Sequence, residues 1–331
     1  FFAKPSGTGP FKFAYWLRGP KLEIVGVRLE RNDNYFGKKP HLEAVEFSPS
    51  FTAEHFAEKE ADIIPYDSER LSDLKVQVLE SETFTTAFLM MSCDLPPLDK
   101  PAVRRAVSLA IDKKEIAKAV FRMDTIPQVT NNFIPARLPG FYPADSKESF
   151  SPEEAKRILS QEGWTAANPF PPLNLLFQEP RAEEDAKIYR VLKAELAGLG
   201  IKLRMKYYRS QKEVQSSRTP FLAIIHWSLD FPDPENLVLP LFYSGSDLNR
   251  SILRYSNAGL DELARAAEVE RSWTERISLF RRIERLLNED MPALPLYCRK
   301  HRLALQPYVR GVKTPPLGFF YLNAGEVWLD K

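Results

Sequence analysis

Residues 221–234 read FLAIIHWSLDFPDP. The run Phe221-Leu222-Ala223-Ile224-Ile225 is apolar without alternation, which suits a central strand covered on both faces of a sheet. A carboxylate, Asp230, comes just after it, and Pro232 and Pro234 then keep the chain from continuing into sheet or helix. Upstream, Leu173–Phe177 is a second apolar strand, and residues 182–199 place Ile188, Leu192, Leu196 and Leu199 on one helical face, with Gly200 past the end. Residues 201–207, IKLRMKY, alternate cleanly, so one face of that strand meets water. Strand, helix, strand and strand in this order predict an α/β fold with mixed sheets flanked by helices.

In open α/β sheets ligands sit beyond the carboxyl ends of the strands. Trp227 and Asp230 hold that place on the most buried strand, with Ser228 and Phe231 beside them. A carboxylate next to an indole face suits a cationic group, because the charge-assisted hydrogen bond gives direction while the indole covers apolar stem. The competing reading is structural: Asp230 accepts main-chain N–H bonds in an Asx-type turn, and Trp227 fills core.

The rest of the chain is organised around this segment. Residues 1–95 are strand-rich, with alternation at Phe11–Trp16, further strands at Leu22–Leu29 and Ala44–Phe47, and a turn at Asn32-Asp33-Asn34. Gly7-x-Gly9 opens a strand and not a helix, so it reads as a turn and not as a phosphate cradle. Asp99-Lys100-Pro101 starts a helix carrying Val103, Val107, Ala110, Ile111, Ala117 and Val120 at three- and four-residue spacing. Ser151-Pro152-Glu153-Glu154 has the pattern of a capping box, and Gly163 closes that helix. Two helices, 260–269 and 273–287, precede a strand at Leu294–Cys298, and the tail from Val309 is loop-rich.

Of 331 residues, 44% are hydrophobic and 27% charged, and the formal net charge is only +2, so no strong field selects nucleic acid or an anionic membrane. No apolar run reaches the ~18 residues needed to span a bilayer. Four scattered histidines and two cysteines, Cys93 and Cys298, show no metal-ligand spacing, so neither a metal nor any other cofactor is expected. No nucleophile or histidine stands near Asp230 and Asp233 in a catalytic pattern, so the chain is not expected to be an enzyme. Phe1-Phe2-Ala3-Lys4-Pro5 reads as the middle of something, with the natural start expected upstream.

Five segments in order carry a resemblance over nearly the whole chain. They are Gly7–Lys12 (GTGPFK), Arg31–Leu42 (RNDNYFGKKPHL), Val103–Asp112 (VRRAVSLAID), Trp227–Pro234 (WSLDFPDP), and Pro295-Leu296-Tyr297 with the closing Val327–Asp330 (VWLD). Together they resemble the extracellular solute-binding proteins of family 5, the oligopeptide- and dipeptide-binding receptors of bacterial ABC importers. The resemblance implies a type II periplasmic-binding-protein clamshell, with residues 1–95 plus 300–331 in a partial first lobe and 96–299 in a second α/β lobe. It implies a monomer, periplasmic or extracellular and in some members lipid-anchored, that captures a peptide or small molecule by lobe closure and delivers it to an ABC permease in the membrane. It also implies that the acid at the Asp230 position pairs with a peptide's α-amino group.

Departures from the family pattern leave other readings open. The family's opening strand and the extra domain after it are missing before Gly7, and Met91-Ser92-Cys93-Asp94 replaces the family's usual aromatic and Asn-Thr. Relatives also take nickel chelates, sugars or murein fragments, and the same module serves as a sensor in some transcriptional regulators. Cys93 and Cys298 end the two strands that cross between the lobes. Two buried small thiols are the favoured reading, and a disulfide stapling the crossing is the sharper alternative.

Overall fold

The computed structural model describes residues 5–121, 125–138, 150–178, 182–313, 316–318 and 321–331. The chain divides into two units, one of residues 1–83 with 300–331 and the other of residues 84–299.

The first unit opens with alternating segments that form β1 (Phe11–Arg18), β2 (Ile24–Arg31) and β3 (Ala44–Phe47), an antiparallel sheet in the order β1-β2-β3. None of its side chains is fully buried. Then follow α1 (Ala53–Ala57), β4 (Ile63–Pro65), α2 (Ser68–Leu71) and the 15-residue β5 (Gln77–Met91), which leads into the second unit.

There the chain builds α3 (Pro101–Leu109), α4 (Lys113–Val120), β6 (Gln128–Val129), α5 (Pro152–Gln161), β7 (Leu173–Phe177), α6 (Ala182–Ala197), β8 (Leu203–Tyr207), α7 (Gln211–Gln215) and β9 (Phe221–Ser228). Helices α8 (Glu235–Phe242), α9 (Asp247–Ser251), α10 (Ala258–Val269) and α11 (Trp273–Asp290) come next. Strand β10 (Ala293–Leu305) returns to the first unit, where its end pairs with β4, and β11 (Val309–Arg310) pairs with β12 (Trp328–Leu329). In the first unit Phe56, Ile64, Leu71 and Ala304 form one core cluster, and Leu303, Leu305, Val309 and Val327 another.

The sheet of the second unit runs β10-β5-β9-β7-β8, with β6 beside β10. Strand β9 is central, antiparallel to β5 and parallel to β7, and its first four residues are buried. This is the physical content of the unalternating run: both faces are covered, so no polar residue is tolerated there. Strand β8 lies at the edge, which explains its alternation. Phe133 packs 6.3 Å from Phe88 and edge-on to Phe242 at 5.4 Å, and each such ring removed from water is worth about 1.5–3 kcal/mol.

The mixed α/β architecture, sheets flanked by helices, is as expected, but several local expectations need correction. The helical pattern from Pro101 to Val120 breaks at Ala110–Asp112, because Asp112 caps a new helix by accepting the Lys114 N–H. Ser151 stands at an N-cap but makes no side-chain cap bond, so the capping box is a pattern without its hydrogen bonds, and Glu154 pairs with Arg157 instead. Pro234 does not keep the chain out of a helix. It is the N-cap of α8, a position where the missing N–H costs nothing. The dividing point between the units falls inside β5 at Thr83/Phe84 and not after residue 95, because Thr85–Met91 are committed to pairing with β9.

Candidate functional site

The chain order of the parallel strands makes a topological switch point. Strand β7 continues through α6 to β8 on one side, whereas β9, on the other side of β7, leads away into α8. Where neighbouring strands send their chains in opposite directions, their carboxyl ends leave room for a ligand. The residues after β9 and the first turn of α6 sit at this point, inside the second unit.

Strand β9 carries Trp227 and Ser228 at its end. Ser228 Oγ lies 2.8 Å from Thr85 Oγ1 on β5, the register partner opposite. Leu229 then turns inward, buried, and its N–H donates to Phe84 O at 3.3 Å. That anchor leaves Asp230 and Phe231 exposed on the loop. Asn236, in the first turn of α8, ties the two predicted recognition residues together. Its main-chain oxygen accepts the Trp227 indole N–H at 2.8 Å, and its Oδ1 accepts the Asp230 main-chain N–H at 2.7 Å.

The Asx-type bond considered for Asp230 is made in this loop by Asp233, whose Oδ1 accepts the Glu235 N–H at 2.8 Å. The other oxygen of Asp233 pairs with Arg276 Nη1 at 2.5 Å, and Glu235 pairs with Arg276 Nη2 at 2.5 Å. Asp233 is thereby committed to a guanidinium and a main-chain amide within its own surroundings.

On the neighbouring strands a second set of polar groups gathers. Glu184 in the first turn of α6 pairs with Arg299 at 2.6 Å and lies 3.6 Å from His226 Nε2. His226 Nε2 is also 3.4 Å from the hydroxyl of the fully buried Tyr297. Among the described residues no group of three or more His, Cys, Asp or Glu could hold a metal ion. Cys93 and Cys298 are not joined in a disulfide. The Cys93 thiol donates to Met91 O at 3.2 Å, and Cys298 Sγ lies 3.7 Å from Thr86 Oγ1.

Asn236 thus bonds to both Trp227 and the Asp230 main chain, while Ser228 is set against β5 and Phe231 is exposed. Sequence reasoning missed Asn236 and Arg276. The spacing Asp230 to Asn236 is a weak local signal, and nothing near Arg276 points back to this loop.

Comparison with known proteins places the chain among relatives. The sequence profile described as bacterial extracellular solute-binding proteins, family 5 Middle, matches residues 1–249. The di/tripeptide-binding protein 2 of Pseudomonas aeruginosa is 26% identical over 308 residues, covering 89% of this chain and 56% of the relative. Heme-binding protein A of Haemophilus influenzae is 25% identical, covering 96% of this chain and 59% of that protein. The chain therefore spans less than two thirds of the length of these curated relatives. Among solved structures, the ABC transporter substrate-binding protein CtaP of Listeria monocytogenes superposes with a TM-score of 0.83 at 20% identity, covering 99% of this chain and 68% of that one, a likeness of fold.

Proposed function

The chain belongs to the bacterial extracellular solute-binding proteins of family 5, and from that membership we propose that the protein is a receptor that captures peptides for an ABC importer. The observation that carries the reading is the exposed Asp230 just past the carboxyl end of β9, three residues after an indole whose N–H is held by the same Asn236 that accepts the Asp230 amide. A peptide's α-ammonium is the cation this geometry suits: three N–H donors for a carboxylate, and an adjoining stem for the indole. Affinity for varied peptides then rests on the charged terminus and main chain, while side chains enter loosely fitted, hydrated pockets.

The proposal is of binding without chemistry, followed by delivery to a membrane permease. It includes the periplasmic or extracellular location of the family, and no described helix is long and apolar enough to cross a membrane. That a curated relative is named for di- and tripeptides supports a short peptide as the first ligand to test.

Calorimetry with tri-alanine on the intact protein tests the assignment. Asp230→Asn should weaken binding by ~2–5 kcal/mol, since it leaves a desolvated ammonium without its counter-charge. N-acetylated tri-alanine should bind the unsubstituted protein comparably poorly. Equal affinity of the variant and the unsubstituted protein for tri-alanine would remove Asp230 from the site.

A further inference from the structure

We propose that Asn236 and Arg276 are positioning residues that hold Asp230 and Trp227 in a preformed cation receptor, ready before a ligand arrives. This rests on the peptide-amine reading of Asp230 and adds to it the means by which the loop is kept in shape.

The loop after β9 carries three carboxylates within six residues, Asp230, Asp233 and Glu235. Left to itself, such a run would spread by mutual repulsion and sample many shapes. Arg276 on α11 prevents this by taking two of the three. Its Nη1 meets Asp233, its Nη2 meets Glu235, and its Nε donates to Ala267 O on α10 at 2.8 Å. The guanidinium lies 5.0 Å from the centre of the Phe280 ring, and the side chain is only 12% exposed. Its three bonding directions and its stacking surface are thus all committed, which fixes it far better than a flexible ammonium could be fixed.

From Arg276 the constraint passes on through hydrogen bonds. Asp233 O accepts the Asn236 N–H at 3.2 Å, and Asn236 in turn holds the indole N–H of Trp227 and the amide of Asp230. The Asp230 main chain is therefore held at its own nitrogen, while its side chain stands exposed. Side chains supported in this way place a binding group within a narrow range of positions, so little ordering cost falls on the ligand.

The charge balance separates positioning from simple electrostatics. Arg276→Gln removes a positive charge close to a cation site, so charge alone predicts tighter ammonium binding. Positioning predicts the reverse.

The experiment uses the intact protein with tri-alanine and N-acetylated tri-alanine, read by calorimetry. Asn236→Ala and Arg276→Gln should each weaken tri-alanine about tenfold, the scale of one misplaced charged hydrogen bond. Asn236→Asp, which keeps an acceptor oxygen, and Arg276→Lys should recover part of the loss, and they serve if the first pair fails to fold. In an Asp230→Asn background, and with the acetylated peptide, the losses should vanish. The Trp227 emission, taken as the difference from a Trp227→Phe variant, should shift in Arg276→Gln before any ligand is added, because the loop whose Asn236 main-chain oxygen holds the indole N–H then loses its anchor.

If Asp230→Asn weakens tri-alanine while the Asn236 and Arg276 variants bind it normally or more tightly, positioning alone is overturned. Losses that persist in the Asp230→Asn background also overturn it, since they report general damage. If Asp230→Asn itself changes nothing, the amine reading fails and takes the positioning role with it.

Discussion

Asp230 and Asp233 stand three positions apart in one loop and do different work. Asp233 spends one oxygen on the Glu235 amide and the other on Arg276, whereas Asp230 is the more exposed of the two and its main-chain N–H donates to Asn236. The difference comes from which neighbours reach each acid, and residue type alone does not reveal it. The cysteines make the same point. Burial pushes the Cys93 thiol up to about 12, with the neighbouring Asp94 and Asp290 adding to the shift against Arg104. A thiol held protonated is a poor nucleophile. Native protein at pH 8 should therefore resist iodoacetamide at Cys93, whereas the urea-unfolded chain should label at both cysteines without any reductant. A labelled count below two in unfolded, unreduced protein would show a disulfide and contradict the separate thiols.

At the scale of elements, a buried arginine terminates a helix. Arg104 on α3 is 3% exposed and donates to Met291 O at 3.1 Å, to Asp290 O through Nε and Nη2, and through Nη1 to Leu98 O and Asp99 O at 2.9 and 3.1 Å. The last carbonyls of α11 have no partners within the helix, and a cation there also suits the helix dipole. Met291, just past the end, adopts the left-handed conformation with φ 45° and starts the turn into β10. Arg104→Met keeps most of the apolar stem but strands these carbonyls. It should lower the stability of the second unit by about 3 kcal/mol, measured by urea denaturation. A midpoint unchanged within error would mean that water replaces the guanidinium without cost. Arg104 belongs to one of the segments that carried the family resemblance, but nothing in that segment marks it as a buried cap for another helix. The carbonyls it serves were not legible there either, since Asp290 lies 186 positions away.

For the molecule as a whole, the pH dependence of stability should come chiefly from the second unit. In the second unit Glu284 is fully buried, accepts the Phe133 and Ile134 N–H groups at 2.8 and 2.9 Å, and is pushed up to about 7 by desolvation that those bonds only partly offset. Glu195 is raised to about 7 as well, chiefly by burial. Each carboxyl holds its proton more tightly in the folded state, so the stability it contributes is complete below the ordinary carboxylate range and is lost as pH rises through about 7. In the first unit Glu54 and Glu326 are lowered, mainly by hydrogen bonds from Thr52 and Lys313, and their exposed positions make them minor contributors that favour the higher pH. Urea unfolding followed from pH 5 to pH 8 should show the second unit losing stability, about 3 kcal/mol from Glu284. Glu284→Gln should flatten that slope, and an equal slope in the variant would exclude Glu284 as its source. What the amino-acid order determined by itself was whatever local repetition encodes: the buried run of β9, the amphipathic face of α6, the edge alternation of β8, and the Trp227–Asp230 pair carried by one contiguous motif. The tertiary structure alone decided that Arg276 would bind Asp233 and Glu235, that Asn236 would hold Trp227 and Asp230, and that the two thiols would stay unbonded. The Arg276 contacts join side chains 43 and 41 positions apart, and the Asn236 contacts, though only six and nine positions long, depend on how the loop folds back on α8; in both, packing and desolvation select the partner and no local periodicity records the choice.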